Sequence, residues 1–125
     1  MPELNENELE AMRVLWEKGP SKPSDIQEEF AWPIENATLR SVLRVLVEKG
    51  HVSRRKEGKA FVYRARSSQR GILASMARMM ARVCCGGDPA HLIAQLIRME
   101  KLSDEELLNL RRIANESNSM PRKRR

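Results

Sequence analysis

Along the chain, apolar positions recur three and four residues apart, stop at Gly or Pro, and once give way to a short strand-like pair. From Glu6 to Lys18, Leu9, Met12, Leu15 and Trp16 make one stripe, the inward face of a predicted helix. Asn5 stands at its N-cap with Glu8 three positions on, a capping-box pair, and Gly19-Pro20 ends it. Its acids Glu6, Glu8, Glu10 and Glu17, expected on the helix exterior, would repel phosphate, so this helix is read as scaffold facing away from any nucleic acid. A short second helix is predicted from Pro23 to Phe30, with Pro at its first position and Ile26 and Phe30 turned inward. Pro33 disfavours helix at Trp32, so Ala31-Trp32-Pro33-Ile34 is a connector. Leu39, Val42, Leu43 and Leu46 then fall at i, i+3, i+4 and i+7, which predicts a third helix that Asn36 or Thr38 caps and Gly50 ends. Val52 on one arm, and Phe61, Val62 and Tyr63 on the other, predict a β-hairpin turning at Lys56-Glu57-Gly58-Lys59.

Beyond the hairpin the pattern is helical throughout. From Ser68 to Val83 the apolar side holds Ile72, Leu73, Met76, Met79 or Met80, and Val83, until Cys84-Cys85-Gly86-Gly87 breaks it. Asp88 caps the next helix, with Pro89 at its first position and Leu92, Ile93, Leu96 and Ile97 along it. Ser103 and Glu106 form a capping box for a last helix, with Leu107, Leu108, Leu110 and Ile113 inside. The fold class is therefore mostly α with a small β-hairpin. A helix-turn-helix with the hairpin as its wing occupies residues 1–67, a helical dimerisation region residues 68–117, and a basic tail residues 118–125. Three apolar stripes in so little chain are more readily buried by exchange with a second copy than in one monomeric core. The residues expected at that interface are Ile72, Leu73, Met76, Met80, Leu92, Leu96, Leu107 and Leu110.

Charge sharpens this picture. The net +6 of the 125 residues is unevenly spread: residues 1–37 carry −6, residues 38–70 carry +8, residues 71–120 are balanced and the last five add +4. The basic block thus coincides with the third helix and the hairpin, as a nucleic-acid footprint should. The outward face of that helix holds Thr38, Arg40, Ser41, Arg44 and Val45. Arg can bridge guanine O6 and N7, Ser or Thr can bond either kind of base edge, and an aliphatic group can touch a thymine methyl. Arg54, Arg55, Lys56 and Lys59 on the hairpin suit phosphates. A solvated helix face and a charged edge hairpin would look alike in isolation; the helix-hairpin order and the local charge favour DNA. The rival class, a winged-helix module that docks onto protein, would carry an acidic or apolar face here.

Little else in the chain suggests chemistry. No Gly-rich phosphate loop or nucleophile motif is present, no cofactor is implied, and an enzyme is not expected. His51 and His91 have no partners at metal-ligand spacing; His51 either touches phosphate or is a strand residue without a role. Cys84 and Cys85 are adjacent and do not make a disulfide framework. Such a pair is more often a small buried hydrophobe at a helix junction, with soft-metal binding or oxidant sensing as the alternative. No apolar run approaches a membrane span and no signal-peptide pattern opens the chain, which predicts a cytoplasmic protein. The tail Met120-Pro121-Arg122-Lys123-Arg124-Arg125 is expected to be a disordered solubilising end, or to brush phosphate.

Leu4-Asn5-Glu6-Asn7-Glu8-Leu9-Glu10-Ala11-Met12-Arg13-Val14-Leu15-Trp16 resembles the opening of the penicillinase-repressor (BlaI/MecI/CopY) family. So do Thr38-Leu39-Arg40-Ser41-Val42-Leu43, Leu46-Val47-Glu48-Lys49-Gly50, Gly58-Lys59-Ala60-Phe61-Val62-Tyr63, Cys85-Gly86-Gly87 and Leu102-Ser103-Asp104-Glu105-Glu106-Leu107. The resemblance covers nearly the whole chain in order. It implies a homodimeric winged-helix repressor on a palindromic double-stranded operator, released by a membrane-bound regulatory metalloprotease that triggers cleavage in the dimerisation arm. By alignment the bond would be Gln95-Leu96, where better-known members have different residues. This chain departs in having Ala37-Thr38 where the family tends to paired threonines, and Val45 at a commonly polar or basic position, so the resemblance does not carry base preference. It also lacks the C-terminal cysteine cluster of the copper-responsive branch, which argues against copper sensing.

Overall fold

A computed structural model describes residues 4–119, in the order α1 (Glu6–Lys18), α2 (Pro23–Glu29), α3 (Asn36–Glu48), β1 (Val52–Glu57), β2 (Ala60–Ala65), α4 (Gln69–Cys84), α5 (Pro89–Glu100) and α6 (Asp104–Ser119). The basic run that closes the chain lies outside the described residues. The chain forms two compact units, one up to Ser75 and the other from Met76. The boundary falls inside α4, whereas the sequence pattern suggested one ahead of that helix.

In the first unit α1 starts at the capping box: the Glu8 N–H donates to Asn5 Oδ1 at 2.8 Å and the Asn5 N–H to Glu8 Oε1 at 3.0 Å. Gly19, at φ +85°, ends it. The core gathers Ala11, Met12, Val14 and Leu15 of α1 with Ile26 and Phe30, Leu39, Val42, Leu43 and Leu46 of α3, and Val52 and Tyr63 of the hairpin. Trp16 is only half-buried, because its indole N–H reaches out to the Ser67 carbonyl at 2.8 Å. Phe30 adopts an extended backbone, so α2 stops one residue earlier than its pattern suggests.

Three local expectations change. Neither Asn36 nor Thr38 caps α3: the helix is entered at Glu35, without a side-chain cap, and Asn36 already lies in the first turn. The hairpin turns one residue later than predicted, with Glu57 facing Ala60 and Gly58-Lys59 as the two-residue loop. The reason is backbone sign: Gly58 sits at φ +63°, and a two-residue hairpin with a left-handed first loop position wants Gly there rather than Glu57. His51 lies just ahead of β1 and is bonded to the far end of the hairpin rather than idle in a strand. It is 3% exposed, its Nδ1 lies 2.7 Å from Ser67 Oγ, and its carbonyl accepts the N–H groups of Arg66 and Ser67. A bridge between Ser21 and Tyr63, bonded at 2.9 and 2.8 Å, ties the hairpin to the loop before α2.

In the second unit the caps are as predicted: Asp88 Oδ1 accepts the Ala90 N–H at 3.0 Å, and Ser103 and Glu106 exchange bonds of 2.9 and 3.1 Å. The packing is not. Among its described residues, Ala81 and Leu92 are the buried apolar ones, while Met80, Val83, Ile93, Leu96, Met99, Leu108, Leu110 and Ile113 are exposed. Leu108, Leu110 and Ile113 stay exposed in a single chain, where the stripe had implied that they lie inside.

Candidate nucleic-acid interface

The apolar stripe of α3 sets its rotation. Leu39, Leu43 and Leu46 are fully buried and Val42 is 9% exposed, so α3 must turn Thr38, Arg40, Ser41 and Arg44 to solvent, with Val45 half-buried at the edge of that face. Arg40 Nε donates to Asn36 Oδ1 at 2.7 Å. Arg44 Nη2 donates to Ser41 Oγ at 3.1 Å, and its Nη1 lies 3.7 Å from Glu48. These exposed tethers hold the guanidinium groups along the helix at little energetic depth, so they are readily exchanged for a ligand.

Strand alternation divides the hairpin's cations. Val52, Arg54 and Lys56 share one face with Tyr63 and Phe61, while Ser53, Arg55 and Glu57 share the other with Arg64, Val62 and Ala60. Arg54 lies over the Phe61 ring at 4.4 Å, and Arg55 is 3.4 Å from Glu57. Arg54 and Lys56 therefore do not line one face with Arg55, and Lys59 sits in the loop. Exposed Arg64, diagonal to Arg55, adds a cation that the sequence reading passed over.

From α1, two acids brace the exit of α3 and the start of the connector that leads into it. Glu8 Oε1 accepts Lys49 Nζ at 3.0 Å, just past the helix end. Glu10 accepts Arg13 Nε at 3.0 Å, Arg13 Nη2 at 2.6 Å and the Ala31 N–H at 2.7 Å, in the connector that leads into α3. Arg13, and then the Ala31 N–H, outweigh burial and hold the Glu10 carboxyl below the usual carboxylate range. Sequence reasoning had put both acids on an outward face. The available signal was spacing: Glu10 stands four residues before Val14, and Glu8 four before Met12, so each lies on the inward side of the helix.

A family model described as penicillinase repressor matches residues 4–116. The chain belongs to the penicillinase repressor family. Among its relatives, the penicillinase repressor of Bacillus licheniformis is 23% identical over 120 residues, covering 93% of this chain and 92% of that protein. The methicillin resistance regulatory protein MecI of Staphylococcus aureus is 26% identical over 115 residues, covering 90% and 94%. The solved structure of YusO from Bacillus subtilis, at 18% identity and TM-score 0.52 over 94% of this chain and 77% of that one, shares the fold. This penicillinase-repressor chain is a winged-helix, DNA-binding transcriptional repressor, of a family of repressors rather than enzymes.

Of the residues expected at a dimer interface, Ile72 and Leu92 are already covered by their own chain. Met76 and Leu107 are half-buried, and Leu73, Met80, Leu96 and Leu110 are exposed. The Gln95-Leu96 bond lies well inside α5, where Gln95 Nε2 is 3.2 Å from His91 Nε2. Cys84 is exposed and Cys85 half-buried, both as free thiols, and no group of three or more His, Cys, Asp or Glu among the described residues could hold a metal ion. No described helix is long and apolar enough to cross a membrane.

Proposed function

We propose that this repressor binds a palindromic double-stranded operator as a homodimer, each copy laying α3 in the major groove of one half-site with the hairpin against the adjoining backbone. The observation that carries the reading is the rotation of α3: its packing leaves Thr38, Arg40, Ser41 and Arg44 together in solvent. Arg40, Ser41, Arg44 and Thr38, with Val45 at the edge, contact bases or the phosphates beside them; Arg54, Arg55, Lys56 and Lys59 grip phosphate, from two faces of the wing. The unburied apolar residues of α4, α5 and α6 support a second copy as the missing half of the core.

Two substitutions test the division of labour. Arg44→Ala is expected to cost about 1–3 kcal/mol on the operator and to relax preference at one base position. Lys56→Ala should weaken binding to all sequences alike and lower the salt slope by about 1. Fluorescence anisotropy over a salt series, on operator and on scrambled duplex, separates them; equal losses on both duplexes for Arg44→Ala would remove it from the base readers.

Release by cleavage of Gln95-Leu96 belongs to the same proposal. A protease binds extended chain, so α5 must open locally before the bond can be cut. Mass spectrometry after induction, in cells holding the regulatory metalloprotease, should show the chain divided there; an intact chain sets that release route aside.

A further inference from the structure

Two buried carboxylates on one helix of a DNA-binding protein call for an account. A buried charge is costly unless paired and fully bonded, and a negative one also works against phosphate. Glu8 is nevertheless 5% exposed and Glu10 7%. Glu8 is spent on the exit of α3, and Glu10 on the start of the connector that leads into it. At the exit, Glu8 takes Lys49 Nζ and the Asn5 N–H at 3.0 Å each. At the entry, Glu10 and Arg13 form a pair on which the turn before α3 converges: Glu10 accepts the Ala31 N–H, and Arg13 Nη2 donates to the Glu29 carbonyl at 2.9 Å. The last residue of α2 and the connector's first N–H are thus bound to one charge pair. The far end of the connector is held by Gln27 Nε2, which donates to the Ile34 carbonyl at 2.8 Å.

We infer that Glu8 and Glu10 are positioning residues for DNA reading, clamping the exit and the entry of α3 so that its outward side chains meet base edges in register. The inference rests on the proposed operator reading. Base readout needs a helix held to a fraction of an ångström, whereas phosphate contacts tolerate movement. Loosening either clamp should therefore cost specific binding and spare non-specific binding. The charge change alone has the opposite sign: removing an acid reduces repulsion and should tighten binding to every duplex.

The test uses the full chain and two duplexes, one selected by the wild-type protein from a random-sequence library and one scrambled. Glu8→Gln and Glu10→Gln keep a carbonyl acceptor in nearly the same shape for the Asn5 or Ala31 N–H while discharging the pair. Affinities are read by anisotropy, with the active fraction fixed by stoichiometric titration and folding checked by thermal melts. Each variant is expected to lose about ten- to a hundredfold on the selected duplex, the worth of a disturbed base contact, and to bind the scrambled duplex as well as or better than wild type. If Glu10→Gln fails to fold, Glu8→Gln and Lys49→Met test the exit clamp alone; Lys49→Met should lose more on the selected than on the scrambled duplex. Unchanged or tighter binding to both duplexes, or a lowered melt with the active fraction binding normally, overturns the inference and leaves the two acids as purely structural. Failure of the wild-type protein to select any duplex overturns the operator reading itself, which separates the two failures.

Discussion

Leu96→Asp combined with Leu110→Asp should yield a monomer that holds a single half-site as before but loses about a hundred- to ten-thousandfold of its affinity for the complete operator. Both side chains are about half in solvent in one chain, at 48% and 45% exposure, so a carboxylate costs the folded monomer little. In the interface of two copies the same carboxylates would be desolvated without partners, which a dimer cannot absorb. The loss on DNA follows from linkage. Once one α3 is seated, a tethered twin reaches the second half-site at an effective concentration of about millimolar, and a monomer forgoes that advantage. Sedimentation reads the oligomeric state, and anisotropy on half-site and full duplexes reads the affinity. A variant that remains dimeric, or a monomer that binds the full operator as tightly as wild type, would sink the dimeric reading.

Leu43→Ala should cost about 2–5 kcal/mol of folding stability, a large share of the roughly 5–15 kcal/mol that holds a small domain together. Leu43 is fully buried in α3, the helix that packs on α1, α2 and β1. Truncation leaves a cavity that three elements would have to collapse together to fill, and close-packed elements relax only in part. Leu43→Met, which conserves volume, should cost less than about 1.5 kcal/mol. Urea unfolding followed by circular dichroism distinguishes the two. A cost below about 1 kcal/mol for Leu43→Ala would mean that α3 is not the keystone of this core.

Periodicity and capping chemistry made most of the architecture readable in advance, because both are local. Apolar spacing set the inward side of α3 and so its outward side; Asn5 with Glu8, Asp88 with Pro89, and Ser103 with Glu106 marked helix starts that the fold uses. Where a local signal was read too loosely, the error was local too. The hairpin turn moved by one residue to give Gly58 the left-handed position, and Asn36 went inside α3 rather than before it.

Contacts between distant residues were the part hidden from the sequence. Helical spacing could turn Glu8 and Glu10 inward but could not name their partners, Lys49 and Ala31, which come from other elements. His51 suggested a phosphate contact or no role at all, because Ser67 meets it only across the end of the hairpin. Arg54 and Arg55 looked like one cluster until strand pairing put them on opposite faces. Fold class, helix order and the exposed, basic side of α3 followed from the sequence by itself, since periodicity, charge and caps act over a few residues. Which partners the inward acids meet, which cations share a face, and which apolar side chains a single chain leaves uncovered were decided only by tertiary packing, because burial and pairing depend on what the rest of the chain brings to each side chain.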